Sequence, residues 1–436
     1  MSLWLWLDSF FKVGKSGSDL KTEIIAGLTT FMTMAYIIFV NPGIMEKAGM
    51  PFAPVMISTC LASALGTAFM ALLANYPLAL SVGMGLNAFF TFSVVITMGI
   101  SWQTALGAVF VEGVIFIVLT LTKVREAIVN SIPQTLKIAI STGIGLFITF
   151  IGLQSGGLIV DNQAVLVGLG DLSSPTVLLA ILGFFLMVIM ESYSIKGSIL
   201  WGILIITALS IPLGITHLPD SIVALPISIK PIFMKMDFSG IKSANFWIVV
   251  FTFFFVDFFD TVGTLVGVTN RAGMLDKKGQ LPGAKEALMA DALGTTFGAV
   301  LGTSTITTFV ESASGVEQGG RTGLASIVTA LLFLSAIFFS PLVSIVPACA
   351  TSPALVMVGI FMIISLKDMD FKDWTDVVPA AVAIFSMPLS YSIATGIEFG
   401  VVTYVIVKLF TGRNKEISKT IYILGAIFIL KEILFR

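Results

Sequence analysis

The chain has 436 residues, 56% hydrophobic and 11% charged, with a formal net charge of −1 and a mean hydropathy of +1.02. Soluble domains carry about 25% charged residues, so this composition excludes a soluble enzyme or binding module and describes a polytopic membrane protein. Cys60 and Cys349 both lie in apolar context and the single histidine, His217, lies in a loop, which argues against a disulfide framework and a His-ligated metal site.

In chain order, residues 1–21 read as a cytoplasmic interfacial segment. The MSLWLWLDSFF run lacks basic residues ahead of it and a small-residue cleavage site, so it is not a cleavable signal peptide. Windows of about 20 apolar residues place spans near 22–42, 53–74, 80–97, 102–122, 133–153, 175–192 and 197–213, a first seven-span repeat over 22–213. A loop over 214–243 follows. The second repeat, 244–410, has spans near 244–269, 284–302, 303–320, 322–340, 352–366, 376–391 and 394–410. The tail, 411–436, carries a last apolar segment at 419–435; with Lys431, Glu432 and Arg436 at its end it reads as an interfacial helix.

Charge orients this plan. With the N-terminus inside, the inner loops carry Lys12, Lys15, Lys21, Lys123, Arg125, Lys196, Arg271, Lys277, Lys278, Lys285, Arg321, Lys367 and Lys372. The outer loops carry Lys47, Lys230, Lys235 and Lys242. The asymmetry, 13 against 4, places both termini in the cytoplasm and the 214–243 loop outside, in a multi-pass plasma-membrane protein.

The two halves echo each other. Span three is broken where Gly83 and Gly85 precede Asn87, and span ten is broken at Glu311, 224 residues later. Pro133 opens span five and Pro347 opens span twelve. Seven spans per half require the second half to run inverted, and paired discontinuous segments in inverted halves point to a transporter's midplane site.

The centre of that argument is Gly302 to Gly323, GTSTITTFVESASGVEQGGRTG. Thr303 to Val310 is rich in β-branched residues, which prefer extended backbone. The stretch also carries five glycines, two glutamates and an arginine. Each charge costs about 2.5–3.5 kcal/mol at the bilayer centre, so this backbone must be buried in protein or line a watered cavity. Glu311 stands at the junction of the extended and helical halves. A half-helix starting at Ser312 offers it N–H groups and positive dipole for an electron-rich ligand group; the alternative is a structural cap. Asn87 begins the matching half-helix, as an N-cap, a ligand contact or both. On span eight, Asp257 and Asp260 are three apart on one helical face that Thr261 and Thr264 extend. Asp257 reads as functional and Asp260 as a polar contact between helices. Glu112, Lys137, Glu191, Asp291 and Glu398 read as structural, and Arg321 as an anchor for carbonyls or a carboxylate. The GxGD pattern at Gly168-Leu169-Gly170-Asp171 sits in a polar loop between Asp161 and Pro175 and reads as chance.

Four stretches resemble the AzgA-like purine permeases of the nucleobase–cation symporter superfamily: TEIIAGLTTFMTMAYIIFVNP at 22–42, GMGLNAFF at 83–90, FFFVDFFDTVGTL at 253–265 and the run at 302–324. The resemblance implies an all-α polytopic membrane protein with fourteen spans in two inverted repeats of seven. It also implies short antiparallel strands in spans three and ten, a core of spans one to four and eight to eleven, and a gate of the remaining spans. It implies proton-driven uptake of hypoxanthine, guanine or adenine, with substrate contacts on Asn87, Asp257 and Glu311. Gly85, Phe89, Asp260, Thr261, Thr308, Val310 and Ser312 stand as supporting residues. Asp257 and Glu311 are the proton-coupling candidates. No catalytic residue, metal or cofactor is expected, the proton being the coupling ion. The partners expected are a purine base, the bilayer and a second copy through the gate, with no nucleic acid.

Rival readings want other residues. An anion exchanger of the same architecture calls for a basic or neutral group where Glu311 and Asp257 stand. An intramembrane hydrolase needs a nucleophile with His or paired catalytic aspartates, and a channel needs a symmetric polar ring.

Overall fold

The computed structural model describes residues 3–122, 133–219, 221–271, 274 and 281–434; Lys123, Arg125, Lys277 and Lys278, counted above among the inner-loop cations, lie outside them. Helix α1 (Leu3–Phe11) leads into a turn whose Val13, with Phe11, is buried against Ala71 and Leu324. Helix α2 (Leu20–Met34) starts where the Asp19 side chain accepts the N–H of Thr22 at 2.9 Å, an N-cap. It breaks at Ala35 and Tyr36 before α3 (Ile37–Glu46). Helix α4 (Phe52–Phe69) runs on through a wide π turn to Ala74.

A short strand, β1 (Leu80–Val82), then precedes α5 (Met84–Ala88), which continues as π turns to Thr97. Next come α6 (Trp102–Leu121) and α7 (Gln134–Ser155). Strands β2 (Ile159–Asn162) and β3 (Leu166–Leu169) follow, then α8 (Pro175–Ser192), opened by proline at its first position, and α9 (Ser198–Ser210). The second half holds α10 (Ala244–Arg271), α11 (Ala284–Leu301), β4 (Ile306–Thr308), α12 (Ser312–Glu317) and α13 (Gly323–Ala336). It closes with α14 (Ser340–Ser344), α15 (Ala348–Ile363), α16 (Trp374–Ser390), α17 (Ile393–Phe410) and α18 (Lys419–Leu434).

Eight helical stretches among the described residues are long and apolar enough to cross a membrane. The segments expected as spans three and ten are indeed broken. Their strands pair antiparallel, Leu80 opposite Thr308, Ser81 opposite Thr307 and Val82 opposite Ile306. A two-stranded sheet leaves two open edges, and buried backbone polar groups must find partners. Two threonines supply them. On one edge the Thr67 hydroxyl accepts the N–H of Leu80 at 2.9 Å and donates to its carbonyl at 3.0 Å. On the other the Thr295 hydroxyl accepts the N–H of Ile306 at 3.3 Å and donates to its carbonyl at 2.9 Å. Thr67 comes from α4 and Thr295 from α11, the helices expected as the second spans of the two halves. These helices meet beside the sheet at Gly66 and Gly294: a Cβ on Gly294 would lie 3.5 Å from the Gly66 Cα and 3.0 Å from Ile306. Small residues permit that approach.

Helix contacts fall into two groups. In one, α11 packs on α4 and α6, and α13 on α2 and α4; in the other, α15 packs on α7 and α8, and α16 on α7 and α17. The tail helix α18 lies along α17, with Gly425 against Val405 and Phe428 against Phe251 of α10. At the ends of α16 and α17, Lys408 meets Asp376 at 3.0 Å and Glu416 at 2.7 Å, and Arg413 meets Asp373. The hydroxyl and N–H of Thr375, then the Arg413 guanidinium, hold the Asp373 carboxyl down at about 2.

The polar loop expected between Asp161 and Pro175 is in part a hairpin. Strands β2 and β3 pair antiparallel, Ile159 opposite Leu169, and the Asn162 side chain accepts the turn N–H of Ala164 at 2.9 Å. Gly168 and Leu169 belong to a strand, and exposed Asp171 accepts the Ser173 N–H at 2.9 Å and hydroxyl at 2.6 Å. The GxGD pattern is therefore a strand end and an Asx turn.

Candidate substrate site

Beyond β4 the chain turns through Phe309 and Val310 to Glu311, at the start of α12. Tyr36, at the break between α2 and α3, donates its hydroxyl to Glu311 Oε1 at 2.5 Å. The Thr33 hydroxyl, one turn earlier, reaches the Glu311 carbonyl at 3.4 Å. Val310, expected at membrane depth, is 48% exposed, so the chain next to Glu311 is not closed off by packed protein. The half-helix beyond Glu311 does not present the free N–H groups expected of it. Ser312 N–H donates to the Phe309 carbonyl at 3.1 Å, Ala313 N–H to Val310 at 3.0 Å and Ser314 N–H to Glu311 at 3.0 Å. A tight turn between strand and helix uses these donors itself, leaving the Glu311 carboxylate as the polar group on offer.

Helix α10 brings the second set of carboxylates. Asp257 is fully buried, and the Thr261 hydroxyl lies 3.1 Å from Asp257 Oδ1, 2.9 Å from Asp291 Oδ1 and 3.0 Å from Thr307 Oγ1. A hydroxyl has one proton to donate and can also accept, here from Thr307, so this junction links two carboxylates and the strand through one Thr261 hydroxyl. Asp291, read above as structural, thus belongs to the site's immediate surroundings. Asp260 is half-buried; its Oδ2 would lie 3.6 Å from a Cβ on Gly83 at the end of β1, and it bonds Thr307.

Asn87 is not an N-cap. Gly83 caps α5, and Asn87 N–H donates to the Gly83 carbonyl at 2.8 Å inside the helix. Its buried side chain donates to Asn41 and accepts the Ser304 hydroxyl at 2.6 Å. Asn41 in turn donates to Thr59 at 2.6 Å and Thr303 at 3.2 Å, so the network ties α3, α4, α5 and the approach to β4 together. No hydrogen bond of the second Asn87 amide proton is seen among the described residues. Glu112, also read as structural, takes the Thr305 hydroxyl at 3.1 Å from the same strand approach.

The supporting residues divide. The Thr308 hydroxyl is buried with no hydrogen-bond partner among the described residues, three positions before Glu311. The Ser312 hydroxyl, in contrast, accepts the Ala79 N–H at 3.0 Å and so serves the sheet. Phe89 packs edge-on against Phe253 at 4.9 Å. Gly85 marks the contact between α5 and α7: a Cβ there would stand 2.6 Å from Ile144 Cγ2. Arg321 anchors carbonyls as expected, donating to Val316 at 2.7 Å and Gly320 at 2.8 Å. Glu317 points away from the site and pairs with Lys196 at 3.2 Å at an exposed position. Sequence reasoning missed Tyr36 and Asn41. Both lie in the apolar stretch 22–42, where a phenol and an amide among aliphatic residues were the available signal. Among the described residues no group of three His, Cys, Asp or Glu side chains is arranged to hold a metal ion.

The fold is similar to that of solved transporters. The transmembrane domain of a cyanobacterium bicarbonate transporter, BicA, superposes with a TM-score of 0.66 over 86% of this chain and 97% of that one, at 16% identity. SLC26A9 superposes with a TM-score of 0.64 over 93% of this chain and 69% of that one, at 12% identity. At such identities the likeness concerns the fold alone. Among proteins of similar sequence, the permease MJ0326 of Methanocaldococcus jannaschii is 51% identical over 98% of both chains. The adenine permease AdeP of Escherichia coli is 44% identical over 98% of this chain and 95% of its own. The guanine/hypoxanthine permease PbuG of Bacillus subtilis is 44% identical over 97% of this chain and 99% of its own. These relatives are transporters rather than enzymes, and the model of the Permease family, Xan_ur_permease, matches residues 21–399. The chain is a multi-pass membrane protein and belongs to that Permease family.

Proposed function

We propose that this protein imports purine nucleobases by proton symport, with the oxopurines hypoxanthine and guanine preferred over adenine. The observation that carries the reading is the Glu311 carboxylate, held by Tyr36 at the end of a buried strand pair and next to half-exposed Val310. A purine base is flat and neutral, with an edge of alternating donors and acceptors. A carboxylate accepts its N–H groups, and the orphaned Thr308 hydroxyl can donate or accept beside it. Asn87 offers its remaining amide proton, and Asp257 completes the contacts, with Asp260 and Thr261 positioning it. The similar E. coli adenine permeases and B. subtilis guanine/hypoxanthine permeases support a purine, yet at 42–44% identity they fall on both sides of the choice of base. Chemistry favours the oxopurines. Their ring N1–H gives a carboxylate a charge-assisted bond, whereas adenine has an acceptor there.

Proton coupling belongs, in this reading, to Glu311 and to Asp257, whose shared hydroxyl links it to Asp291. One proton moved down 100 mV is worth about 2.3 kcal/mol, enough to drive accumulation. Fourteen spans in two inverted repeats of seven are supported by the matched capping of the two sheet edges, Thr67 on Leu80 and Thr295 on Ile306. The two groups of helix contacts support a division into a core and a gate, and in this reading the gate is the surface for a homodimer. The basic asymmetry supports cytoplasmic termini. No cofactor beyond the proton is needed. An anion cargo is disfavoured because Glu311 and the Asp257–Asp291 pair would repel it.

The test is uptake of labelled hypoxanthine into cells lacking their own nucleobase permeases, with and without a protonophore. Unlabelled hypoxanthine, guanine, adenine and uracil serve as competitors. Hypoxanthine and guanine should compete best and the protonophore should abolish accumulation. Best competition by adenine would invert the donor–acceptor assignment, and best competition by uracil would overturn the purine reading.

A further inference from the structure

We propose that Tyr36 sets substrate selectivity, by occupying one oxygen of the Glu311 carboxylate so that the site reads a single ring N–H and is indifferent to an exocyclic amine beside it. This rests on the purine reading above. Tyr36 is 1% exposed and its ring lies against Phe309, 6.5 Å between centroids, so the phenol has little freedom to swing away. Its hydroxyl sits 2.5 Å from Glu311 Oε1, the length of a charge-assisted O–H···O⁻ bond. The Thr33 hydroxyl, which donates to the Thr30 carbonyl at 2.9 Å, also lies 3.4 Å from the Glu311 carbonyl, so the turn before α3 packs directly beside Glu311.

The consequence is geometric. A carboxylate recognises two parallel N–H groups only by presenting both oxygens side by side. Guanine carries such a pair, the ring N1–H and the adjacent 2-amino group; hypoxanthine carries the N1–H alone. With Oε1 already accepting the Tyr36 hydroxyl, a second bond to that oxygen must share its charge and fit beside the phenol, so Oε2 is the better acceptor and takes N1–H equally well from either base. The 2-amino group then meets only the weakened, crowded Oε1. A free carboxylate would instead favour guanine by the worth of one more bond to a charged group.

Binding to the purified permease, measured by calorimetry for guanine, hypoxanthine and 1-methylhypoxanthine, tests this in the parent and in Tyr36→Phe. In the parent, guanine and hypoxanthine should bind within about threefold of each other, and 1-methylhypoxanthine at least about thirtyfold more weakly, since its methyl removes the one N–H read. Tyr36→Phe keeps the ring and frees Oε1, so guanine should gain about tenfold or more over hypoxanthine. A role in packing alone would weaken both bases together and leave their ratio unmoved. An unchanged ratio in Tyr36→Phe overturns the inference and leaves the purine reading standing. So does a parent that already prefers guanine tenfold or more, an outcome that needs no variant to fold. A parent that binds none of the three bases overturns the oxopurine reading on which the inference rests.

Discussion

Replacing Thr295 with valine removes one oxygen from the site's foundation without changing its shape. Its hydroxyl closes one edge of the two-stranded sheet, donating to the Ile306 carbonyl at 2.9 Å and accepting the Ile306 N–H at 3.3 Å. Valine leaves both groups buried, and each unsatisfied backbone group costs about 1–3 kcal/mol. The N–H bond is long, so its share falls at the low end, and the sum is about 2–4 kcal/mol. Thr67→Val should cost a similar amount at the opposite edge, where the bonds to Leu80 measure 2.9 and 3.0 Å. The two losses act on the same three-residue ladder and should not simply add. Denaturant unfolding of the purified protein in detergent reads the stability, and base binding reads the site, because β4 leads directly into Glu311. If both single variants stay within about 0.5 kcal/mol of the parent, the range of an ordinary surface change, the threonines do not hold the sheet and the reasoning fails.

Glu311→Gln should weaken hypoxanthine binding by at least about a hundredfold, because its amide faces the base's N–H with a donor; Glu317→Gln, at the exposed pair with Lys196, should change it less than threefold. Calorimetry separates the two. Gly85→Ala should slow transport by pressing a methyl to 2.6 Å from Ile144 Cγ2, and Ile144→Ala should restore the rate; no rescue would remove that contact from the moving parts. A single cysteine placed in 214–243 should react with an impermeant reagent from outside intact cells, and labelling only after permeabilisation would reverse the orientation. Asp373, held at about 2 by Thr375 and Arg413, contributes stability that is present above the ordinary carboxylate value of 3.8 and lost as the pH falls through about 2. Asp373→Asn should therefore be less stable than the parent at pH 6, with the difference vanishing between about pH 4 and pH 2; a constant difference would mean the carboxylate's charge plays no part.

The broken character of 302–323 was legible because β-branched residues, glycines and charges cannot together make a lipid-facing helix. Asp257 and Asp260 were legible because carboxylates among phenylalanines are costly without a reason. What escaped is what depends on long-range contact. Tyr36 and Glu311 are 275 residues apart, and nothing local marks the phenol as their meeting point. Asp291 looks like a span-end acid until α10 folds Thr261 onto it. The half-helix donors were misjudged because a turn of six-residue scale spends its own N–H groups, which residue types alone do not reveal. Asn87 was placed at a helix start, but α5 begins three residues earlier, at Met84, and its amide is drawn into the Asn41–Ser304 network. The hairpin at 159–169 hides in a short polar loop, where turn chemistry at Asn162 decides the pairing.

Proton-driven purine uptake is read out with the purified protein in liposomes, loaded at neutral pH and diluted into acidic buffer containing labelled hypoxanthine. A proton-coupled purine carrier should concentrate the base inside well above the external level while the gradient lasts, and the accumulation should collapse when a protonophore is added. Glu311→Gln liposomes should show none. Uptake that only equilibrates the base, with the same course whether or not a pH gradient is imposed, would contradict the coupling; no uptake of any purine by correctly folded protein would contradict the account as a whole.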